Sequence, residues 1–499
     1  MILKIKGRFR VVVLILAVGL FGVAFSRAQV LADGDFYGHA MAGAKALQNW
    51  YNPHGLWDST GWWNAANCLD GMESIIVANN GQEYLDVIPN TYKRNSRKNF
   101  LNEYYDDEGW WALAWIRAYD LTGESRYLRM AKKIFKNMKG GWDDHCGGGI
   151  WWRKDRHYKN AIANELFMSV AVRLSERTPE DEGVGSYLDW ALRDWTWFKQ
   201  TGMINSRELV NDGLDVNCQN NHHTTWTYNQ GVLIGGLTEL YKVTGDPALV
   251  SQANALAEAS LGALVNRAGV LHEPHEDRGL HGEDVAQFKG IFVRYVAELY
   301  EVTGNPALHD FLVANARSIW SQDRNDKDQF GGRWAGPIDT VDAARQSSAL
   351  SVFTALAGTV TTNGPIAAGE AVFLHDVGRP DGHGNWTANS LQDHASGFLT
   401  HGPVQNLTPG ASEARFELKV DNFNRDNARV ATISVWDVDT QTTIAERDLK
   451  RHKFPNILYQ TFALRFNAVA GHHYDFRTFW HRSPSAPWLT QRCVVINSG

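Results

Sequence analysis

The chain has 499 residues, more than a single hydrophobic core usually organises, so we expect two domains. Its formal net charge of −6 at pH 7 argues against a nucleic-acid partner, because binding to a phosphate backbone needs a basic surface. Its 20 tryptophans are a high number, and such rings serve either in helix cores or along the walls of a sugar-binding cleft.

The first 28 residues have the features of a secretory signal peptide. Residues 4–10 carry four basic side chains, residues 11–25 form an apolar run that is short for a membrane span, and Ser26 and Ala28 suit a cleavage site. An uncleaved N-terminal anchor is the alternative, and no later segment is apolar enough to cross a bilayer. We therefore expect a secreted, periplasmic or cell-surface protein with no membrane span after signal cleavage.

Between residues 29 and 358, apolar residues recur at helical spacing and predict two alternating sets of six helices. The set expected on the outside covers residues 37–51, 83–101, 125–138, 186–200, 247–264 and 307–321. The set expected on the inside covers residues 63–79, 106–120, 159–174, 226–242, 284–301 and 342–358. Helices in this order predict an all-α (α/α)6 barrel, which we take as the catalytic domain.

The connections between these helices are of two kinds. Short Thr-Gly turns end at Gly123, Gly245 and Gly304, and the last two are 59 residues apart, as expected for stacked helical hairpins. The connections from an outer helix to the next inner helix are long and rich in Trp, Gly, His, Asp and Asn. Because long loops on a rigid scaffold carry function, we expect the functional site at the long-loop end of the barrel.

An acidic doublet, Asp106 and Asp107, stands at the entrance of the second inner helix, flanked by Glu103 and Glu108. The helix dipole stabilises one such acid by about 0.3–1 kcal/mol, so helix capping is one interpretation. The other is catalysis, because burial among aromatic rings together with like-charge repulsion would push two pKa values apart. Glycoside cleavage needs one ionised and one protonated carboxyl. These residues alone leave both interpretations open.

The doublet belongs to a longer motif, Glu-Tyr-Tyr-Asp-Asp-Glu-Gly-Trp-Trp at residues 103–111, which resembles the signature of glycoside hydrolase family 76, the α-1,6-mannanases. Further similar segments follow in the same order: Gly-Gly-Gly-Ile-Trp-Trp at 147–152, Tyr-Lys-Asn at 158–160 with Asn-Glu at 164–165, Trp-Thr-Tyr-Asn-Gln-Gly at 226–231, and Gln-Phe-Lys-Gly-Ile-Phe at 287–292. The resemblance spans roughly residues 35–358 and also implies an (α/α)6 barrel.

The resemblance implies an exported, retaining endo-α-1,6-mannanase that hydrolyses internal α-1,6-mannosidic bonds of mannan-type polysaccharides. The family's paired aspartates are catalytic, which implies that Asp106 is the nucleophile and Asp107 the acid/base. It also implies α-1,6-linked mannan or a manno-oligosaccharide as the partner, no cofactor and no metal. We expect a monomer.

Other functions stay open. A transglycosylase would act on the same linkage if water is poorly admitted to the site. A different enzyme on an α/α barrel, such as a sugar epimerase or an unsaturated-uronide hydrolase, would depend on histidines or a single acid. A non-catalytic mannan-binding protein would use the doublet only to hydrogen-bond sugar, and a structural cell-surface protein would leave the aromatic loops without a purpose.

Further candidates for substrate binding are aromatic, amide or charged side chains in or beside these motifs. They are Tyr105, Trp110, Asp143, Asp144, Trp151, Trp152, Asn160, Asn164, Trp226, Tyr228, Asn229, Gln230, Asp284 and Lys289. Each has a structural alternative, such as a tight turn for the Gly-rich loop, a polar helix N-terminus for the amides, or a buried ion pair for the last two.

Four cysteines allow three disulfide pairings, and export makes disulfides permissible. Cys493 is nearly terminal, so at least one cysteine is either free or bridges the two domains. Cys218 with His222 and His223 is a weak pattern for a metal site, because no second cysteine or carboxylate stands at ligand spacing. We expect no metal there.

After residue 358 the sequence pattern changes from helical to strand-like. Residues 359–369 form a linker rich in Thr, Gly, Ala and Pro, and residues 370–499 predict a C-terminal all-β sandwich, plausibly jelly-roll-like. The sandwich is either a carbohydrate-binding module or a packing and spacer domain. Its candidate stacking rings are Trp386, Trp480, His481 and Trp488.

Overall fold

The computed structural model describes residues 36–276, 284–357, 366–369, 373–402, 404–423, 426–483 and 487–498. The predicted signal peptide, residues 1–28, lies outside the described residues, as does most of the predicted linker. Helices make up the first part of the described chain and strands the second. The predicted order, a helical domain followed by an all-β domain, is therefore confirmed.

The helices of the first domain form an inner and an outer set. The inner set is α2 (Trp62–Ala78), α4 (Tyr105–Thr122), α6 (Ala161–Glu176), α8 (Thr227–Thr244), α10 (Phe288–Thr303) and α12 (Ala343–Leu356). The outer set is α1 (residues 36–48), α3 (Val87–Asn95), α5 (Ser125–Lys139), α7 (Tyr187–Gln200), α9 (Pro247–Ala263) and α11 (Pro306–Gln322). Each inner helix packs against the next, and α12 packs back on α2, so the inner helices close into a ring.

Local sequence explains the short turns between inner and outer helices. Gly123, Gly245 and Gly304 follow α4, α8 and α10 with φ of 69°, 72° and 64°, a left-handed conformation that favours glycine and ends a helix. Proline then occupies the first residue of α9 and α11, where the side chains of Asp246 and Asn305 cap the helix. No helix in the described ranges is both long and apolar enough to cross a bilayer.

Two helices depart from their predicted bounds by four residues or more. α3 ends at Asn95 because Asn99 and Phe100 adopt positive φ values of 55° and 59°, which an α-helix does not tolerate. α10 begins at Phe288, and a single 3-10 turn, Val285–Gln287, precedes it. Both departures lie at helix ends, where periodicity is the weakest guide.

Two glycines let neighbouring inner helices approach closely beside the long loops. A Cβ atom on Gly231 of α8 would lie 2.5 Å from the Cα of Phe292 on α10. A Cβ on Gly290 of α10 would lie 2.5 Å from the Cα of Ser348 on α12. Backbone therefore packs on backbone at these two positions, and any side chain would push the helices apart.

The second domain consists of two antiparallel sheets. The first has the order β2 (Arg379–Pro380), β3 (Trp386–Ala388), β11 (Leu489–Ser498), β6 (Gly410–Val420), β9 (Gln460–Ala468), with β1 (Ile366–Ala367) also paired to β11. The second has the order β4 (Gly397–His401), β10 (His473–Trp480), β7 (Arg429–Asp437), β8 (Thr442–Lys450), with β5 (Gln405–Asn406) paired to β10. Alternate residues face one shared apolar core, as in a sandwich.

The sandwich packs on the short-turn end of the helical ring. The backbone N–H of Ile457 donates to the Asp120 carbonyl at 3.1 Å, and that of Tyr459 donates to Asn80 Oδ1 at 2.9 Å. Asn422 Nδ2 donates to the Glu176 carbonyl at 3.2 Å. A cavity of about 620 Å³ lies between the two domains at this end. Hydrogen bonds between described residues of the two domains lie at this end.

Candidate active site

The acidic doublet lies in the first turn of α4. Tyr104 occupies the N-cap position, and its side chain makes no capping hydrogen bond. Asp106, Asp107 and Glu108 follow it inside the first turn, where they face the unpaired N–H groups and the positive end of the helix dipole. None of these acids stands at the N-cap, so side-chain capping does not explain them.

A short antiparallel bridge places an indole N–H on Asp106. The backbone N–H of Tyr105 donates to the Trp152 carbonyl at 2.9 Å, and that of Lys154 donates to the Glu103 carbonyl at 3.0 Å. This pairing brings Trp152 Nε1 to 3.0 Å from Asp106 Oδ2, to which it donates a hydrogen bond. Asp106 Oδ1 is buried and has no hydrogen-bond partner in the described part of the chain. Trp152 therefore orients Asp106 from a loop that lies 46 residues away in sequence.

Asp107 is held by a residue that the sequence analysis does not single out. Asn102 Nδ2 donates to Asp107 Oδ2 at 2.5 Å, and Asn102 Oδ1 accepts the Tyr104 backbone N–H at 2.8 Å. The only sequence signal for this contact is an amide five residues before an acid at a helix entrance.

Glu108 anchors the same turn from inside the protein. Its side chain is fully buried and forms an ion pair with Lys154, with 2.8 Å between Nζ and Oε1. Asn137 of α5 donates to its other oxygen at 2.6 Å. Because Lys154 belongs to the segment that presents Trp152, this ion pair ties that segment to the start of α4.

Both carboxyls of the doublet have raised pKa values. Burial, followed by repulsion from Asp107, raises the pKa of Asp106 well above its ordinary value, although the Trp152 hydrogen bond acts in the opposite direction. The pKa of Asp107 is raised to about 6, chiefly by burial; the bond from Asn102 lowers it, and the charges of Asp284 and Glu108 contribute to the rise. The doublet therefore binds protons more readily than two exposed aspartates do.

Aromatic rings frame the doublet from three other inner helices. Trp63 of α2 stacks on Trp110 at 5.8 Å between ring centroids, and its Nε1 donates to Asp284 Oδ1 at 2.8 Å. Tyr228 of α8 stacks on Phe288 of α10 at 3.7 Å. Rings and carboxylates side by side suit a sugar, whose C–H faces stack on rings while its hydroxyls bind the acids.

Residues 36–366 match the sequence profile described as Glycosyl hydrolase family 76. The chain belongs to this family. It is accordingly a glycoside hydrolase, and the family resemblance carried by the motifs is confirmed.

Curated relatives of this family 76 chain come from fungi. Mannan endo-1,6-alpha-mannosidase DFG5 of Candida albicans is 26% identical over 329 residues, which are 59% of this chain and 72% of the relative. Mannan endo-1,6-alpha-mannosidase DCW1 of Saccharomyces cerevisiae is 29% identical over 273 residues, 50% of this chain and 59% of the relative. Across eight such relatives the matched share of their own length runs from 51% to 78%.

Solved structures with a similar fold include family 76 enzymes. An inactive variant of the alpha-1,6-mannanase GH76A of Salegentibacter sp. HEL1_6, with two consecutive aspartates replaced by alanine, was solved in complex with alpha-1,6-mannotetrose. It is 25% identical with a TM-score of 0.57, and the match covers 64% of this chain and 98% of that one. Dfg5 of Chaetomium thermophilum, in complex with glucosamine, has a TM-score of 0.56 at 20% identity over 64% of this chain and 89% of its own, which shows the fold alone.

The predicted binding residues fall into two groups. One group lies around the doublet and consists of Trp110, Trp152, Tyr228 and Asp284. Others make contacts within the protein: Tyr105 packs on Gly141, and Trp151 Nε1 donates to Asp143 Oδ2 at 2.7 Å. Asn160 caps α6, while the amides of Asn164 and Gln230 hydrogen-bond the loop backbone at Ile150 and Val210. Lys289 forms an ion pair with Glu276 at 3.0 Å, and Asn229 is fully buried. Asp144 is exposed, and Trp226 is half-buried with its ring edge on Phe288.

The Gly-rich loop after α5 is organised by a buried lysine. Lys159 Nζ donates to Asp143 Oδ1 at 2.8 Å and to the carbonyls of His145 and Gly148, each at 2.6 Å. A disulfide between Cys146 and Cys218 links this loop to the long loop before α8. Its two sulfurs offer no thiolate for a metal.

The remaining two cysteines, Cys68 and Cys493, are buried free thiols, one in each domain. Of the predicted stacking rings in the sandwich, Trp480 is fully buried and Trp386 stacks on His375 at 3.5 Å. Trp488 lines the interdomain cavity, with Lys242 Nζ 5.3 Å from its ring centroid. Three of these rings are therefore already occupied by contacts within the protein.

Proposed function

We propose that this family 76 glycoside hydrolase is an exported, retaining endo-α-1,6-mannanase that cleaves internal bonds of mannan-type polysaccharides. The observation that carries the proposal is the pair of neighbouring carboxyls, Asp106 and Asp107, held at a helix entrance with raised pKa values and framed by aromatic rings. The names of the fungal relatives and the mannotetrose-bound mannanase support α-1,6-linked mannan as the substrate.

The proposed reaction runs in two steps. Asp106 attacks the anomeric carbon while Asp107 donates its proton to the glycosidic oxygen, so the C–O bond to the leaving sugar breaks as a mannosyl–Asp106 ester forms. Asp107, now ionised, then takes a proton from water, and the hydroxide attacks the same carbon and releases Asp106. Two inversions at one carbon give net retention.

The assignment of Asp106 as nucleophile and Asp107 as acid/base comes from the family resemblance, and charge in the transition state agrees with it. When the pair carries one proton, the two arrangements differ only in which carboxyl carries it. Positive charge develops at the anomeric carbon, and this favours an ionised Asp106 beneath it and a protonated Asp107 beside the leaving oxygen. The inactive mannanase with two consecutive aspartates replaced supports a paired-aspartate mechanism.

We propose that the substrate cleft is lined by Trp63, Trp152, Tyr228 and Asp284, which surround the doublet. Asp143, Trp151 and Lys159 support the wall from behind, because their polar groups bond to one another rather than to the cleft.

We also propose a domain organisation for the whole chain. The ring of inner helices is the core of an (α/α)6 barrel over residues 29–358, after a cleaved signal peptide at 1–28. Residues 359–369 connect it to a jelly-roll-like sandwich at 370–499, although β1 already pairs with β11 inside that connection.

The test is cleavage of linear α-1,6-mannan by the purified protein, compared with α-1,2, α-1,3 and β-1,4 mannans. We expect oligosaccharides from the α-1,6 polymer alone, and loss of activity in Asp106→Asn and Asp107→Asn with the fold intact by circular dichroism. Binding of α-1,6-mannan without release of products would identify a mannan-binding protein. With an α-1,6-linked manno-oligosaccharide as the substrate, products longer than that oligosaccharide would identify a transglycosylase.

Azide rescue separates the two roles. With an activated α-1,6-mannobiosyl fluoride, Asp106→Gly in azide should give the β-azide, because azide enters from the side of the missing nucleophile. Asp107→Gly should give the α-azide, because azide replaces the water that Asp107 activates. The opposite pair of products would exchange the two assignments.

A further inference from the structure

The amide of Asn102 has one orientation fixed by the backbone. Its Oδ1 accepts a hydrogen bond from the Tyr104 backbone N–H at 2.8 Å. Because a backbone N–H can only donate, the amide oxygen, and not the amide nitrogen, must face Tyr104. The Nδ2 group therefore faces Asp107 and donates to its Oδ2 at 2.5 Å. The contact with Tyr104 thus determines that Asn102 is the donor in its hydrogen bond to Asp107.

A donated hydrogen bond decides which carboxyl oxygen carries a proton. Oδ2 of Asp107 receives the amide N–H, and in a protonated carboxyl the carbonyl oxygen accepts a hydrogen bond better than the hydroxyl oxygen does. When Asp107 is protonated, the bond from Asn102 therefore favours the proton on Oδ1. In a general acid, only a proton on the oxygen that faces the leaving group takes part in the transfer.

We propose that Asn102 is a positioning residue that fixes the carboxyl plane of Asp107 and directs its transferable proton to Oδ1. The proposal rests on the function proposed above, in which Asp107 is the acid/base. It adds a residue that touches Asp107 rather than the sugar, and that lies outside the set predicted from the sequence.

The electrostatic surroundings of Asp107 leave this role to Asn102. On α4 the acidic neighbours are Asp106 and Glu108, and Asp284 approaches from the segment before α10. The charges of Asp284 and Glu108 disfavour ionised Asp107. Lys154 is engaged with Glu108, and none of the ion pairs between described residues includes Asp107. The amide of Asn102 is the polar group that opposes these charges.

The test compares Asn102→Ala with Asn137→Ala. Both variants remove an amide that donates to a first-turn acid of α4, but Asn137 donates to Glu108, which has no place in the reaction. The readouts are the thermal midpoint and the pH profiles of kcat and kcat/KM on α-1,6-mannotetraose.

For Asn102→Ala we expect kcat to fall about tenfold or more with KM changed by less than about threefold, because the proton is no longer directed. The acid limb should move up by about one pH unit, because loss of the donated bond makes protonation of Asp107 easier. Asn102→Asp, which places a carboxylate against Oδ2, should move the limb further. Asn137→Ala should leave the limb in place even where it lowers the thermal midpoint.

An acid limb that stays in place in Asn102→Ala, or losses of kcat that match those of Asn137→Ala, would overturn the proposal and leave the mannanase function standing. Inactive wild-type protein would instead overturn that function. In that case infrared titration of carboxyl bands, assigned with Asp107→Asn, gives the pKa of Asp107 without turnover. A rise in Asn102→Ala would show that the amide sets the protonation of Asp107, and no change would overturn its positioning role.

Discussion

Replacing Trp152 by phenylalanine tests how much of the site's chemistry depends on one indole N–H. The variant keeps a ring in the wall of the cleft and removes the donor that lies 3.0 Å from Asp106 Oδ2. Because Oδ1 of the same carboxyl has no partner among the described residues, the variant leaves Asp106 without a side-chain hydrogen bond.

The size of the effect follows from the stability of ionised Asp106. A hydrogen bond to a charged group contributes about 1.5–3 kcal/mol in a site of this kind. Since 1.36 kcal/mol corresponds to one pKa unit, the pKa of Asp106 should rise further by about 1–2 units. If ionised Asp106 is the nucleophile, kcat/KM should fall about 10- to 150-fold.

The neighbouring residue provides a matched control. Trp151 donates an equivalent indole hydrogen bond to Asp143 Oδ2 at 2.7 Å, outside the doublet. We expect Trp151→Phe to keep activity on α-1,6-mannotetraose within about threefold, because Asp143 retains the bond from Lys159. Equal losses in the two variants, or wild-type kcat/KM in Trp152→Phe, would refute the assignment of Trp152 to the nucleophile.

Three further outcomes are expected. In the wild type, kcat/KM should fall as pH drops through about 6, where Asp107 gains the second proton of the pair, and a profile flat down to pH 4 would contradict this. Lys159→Met should lower the thermal midpoint by roughly 5–15 °C, because it strips the donor from the Gly148 and His145 carbonyls; an unchanged midpoint would contradict it. Removing residues 359–499 should destabilise the helical domain even on soluble substrate, whereas a detachable binding module would leave its midpoint and its activity intact.

The sequence predicts the helical domain well because several separate sequence signals agree with one another. Apolar spacing, Thr-Gly turns and Asp-Pro or Asn-Pro helix starts all point to the same helix ends, as at Gly245 and Pro247. α3 departs most from the prediction, since its predicted continuation includes Asn99 and Phe100, whose left-handed conformation no periodicity reveals.

The candidate site was predictable only as far as its motif reaches. Asp106 and Asp107 are adjacent in the sequence, so a single motif is enough to identify them. Trp151 and Trp152 look equivalent in sequence, yet extended backbone points neighbouring side chains to opposite sides, and only the second reaches Asp106. Asn102 and Trp63 act through contacts that form only once the ring closes, and no spacing rule connects them to the doublet.

A comparison within the ring shows why the pKa values of these two acids are raised. Asp70 of α2 is also buried, and burial alone would raise its pKa, but Arg294 and Arg117 pair with it and lower the pKa below the ordinary value. That carboxylate stays ionised and joins inner helices near the short-turn end. Among the described residues, Asp106 and Asp107 receive only neutral N–H donors, so the effect of burial is larger and both pKa values are raised. The same scaffold thus lowers or raises the pKa of a buried acid according to whether a guanidinium or a neutral N–H faces it.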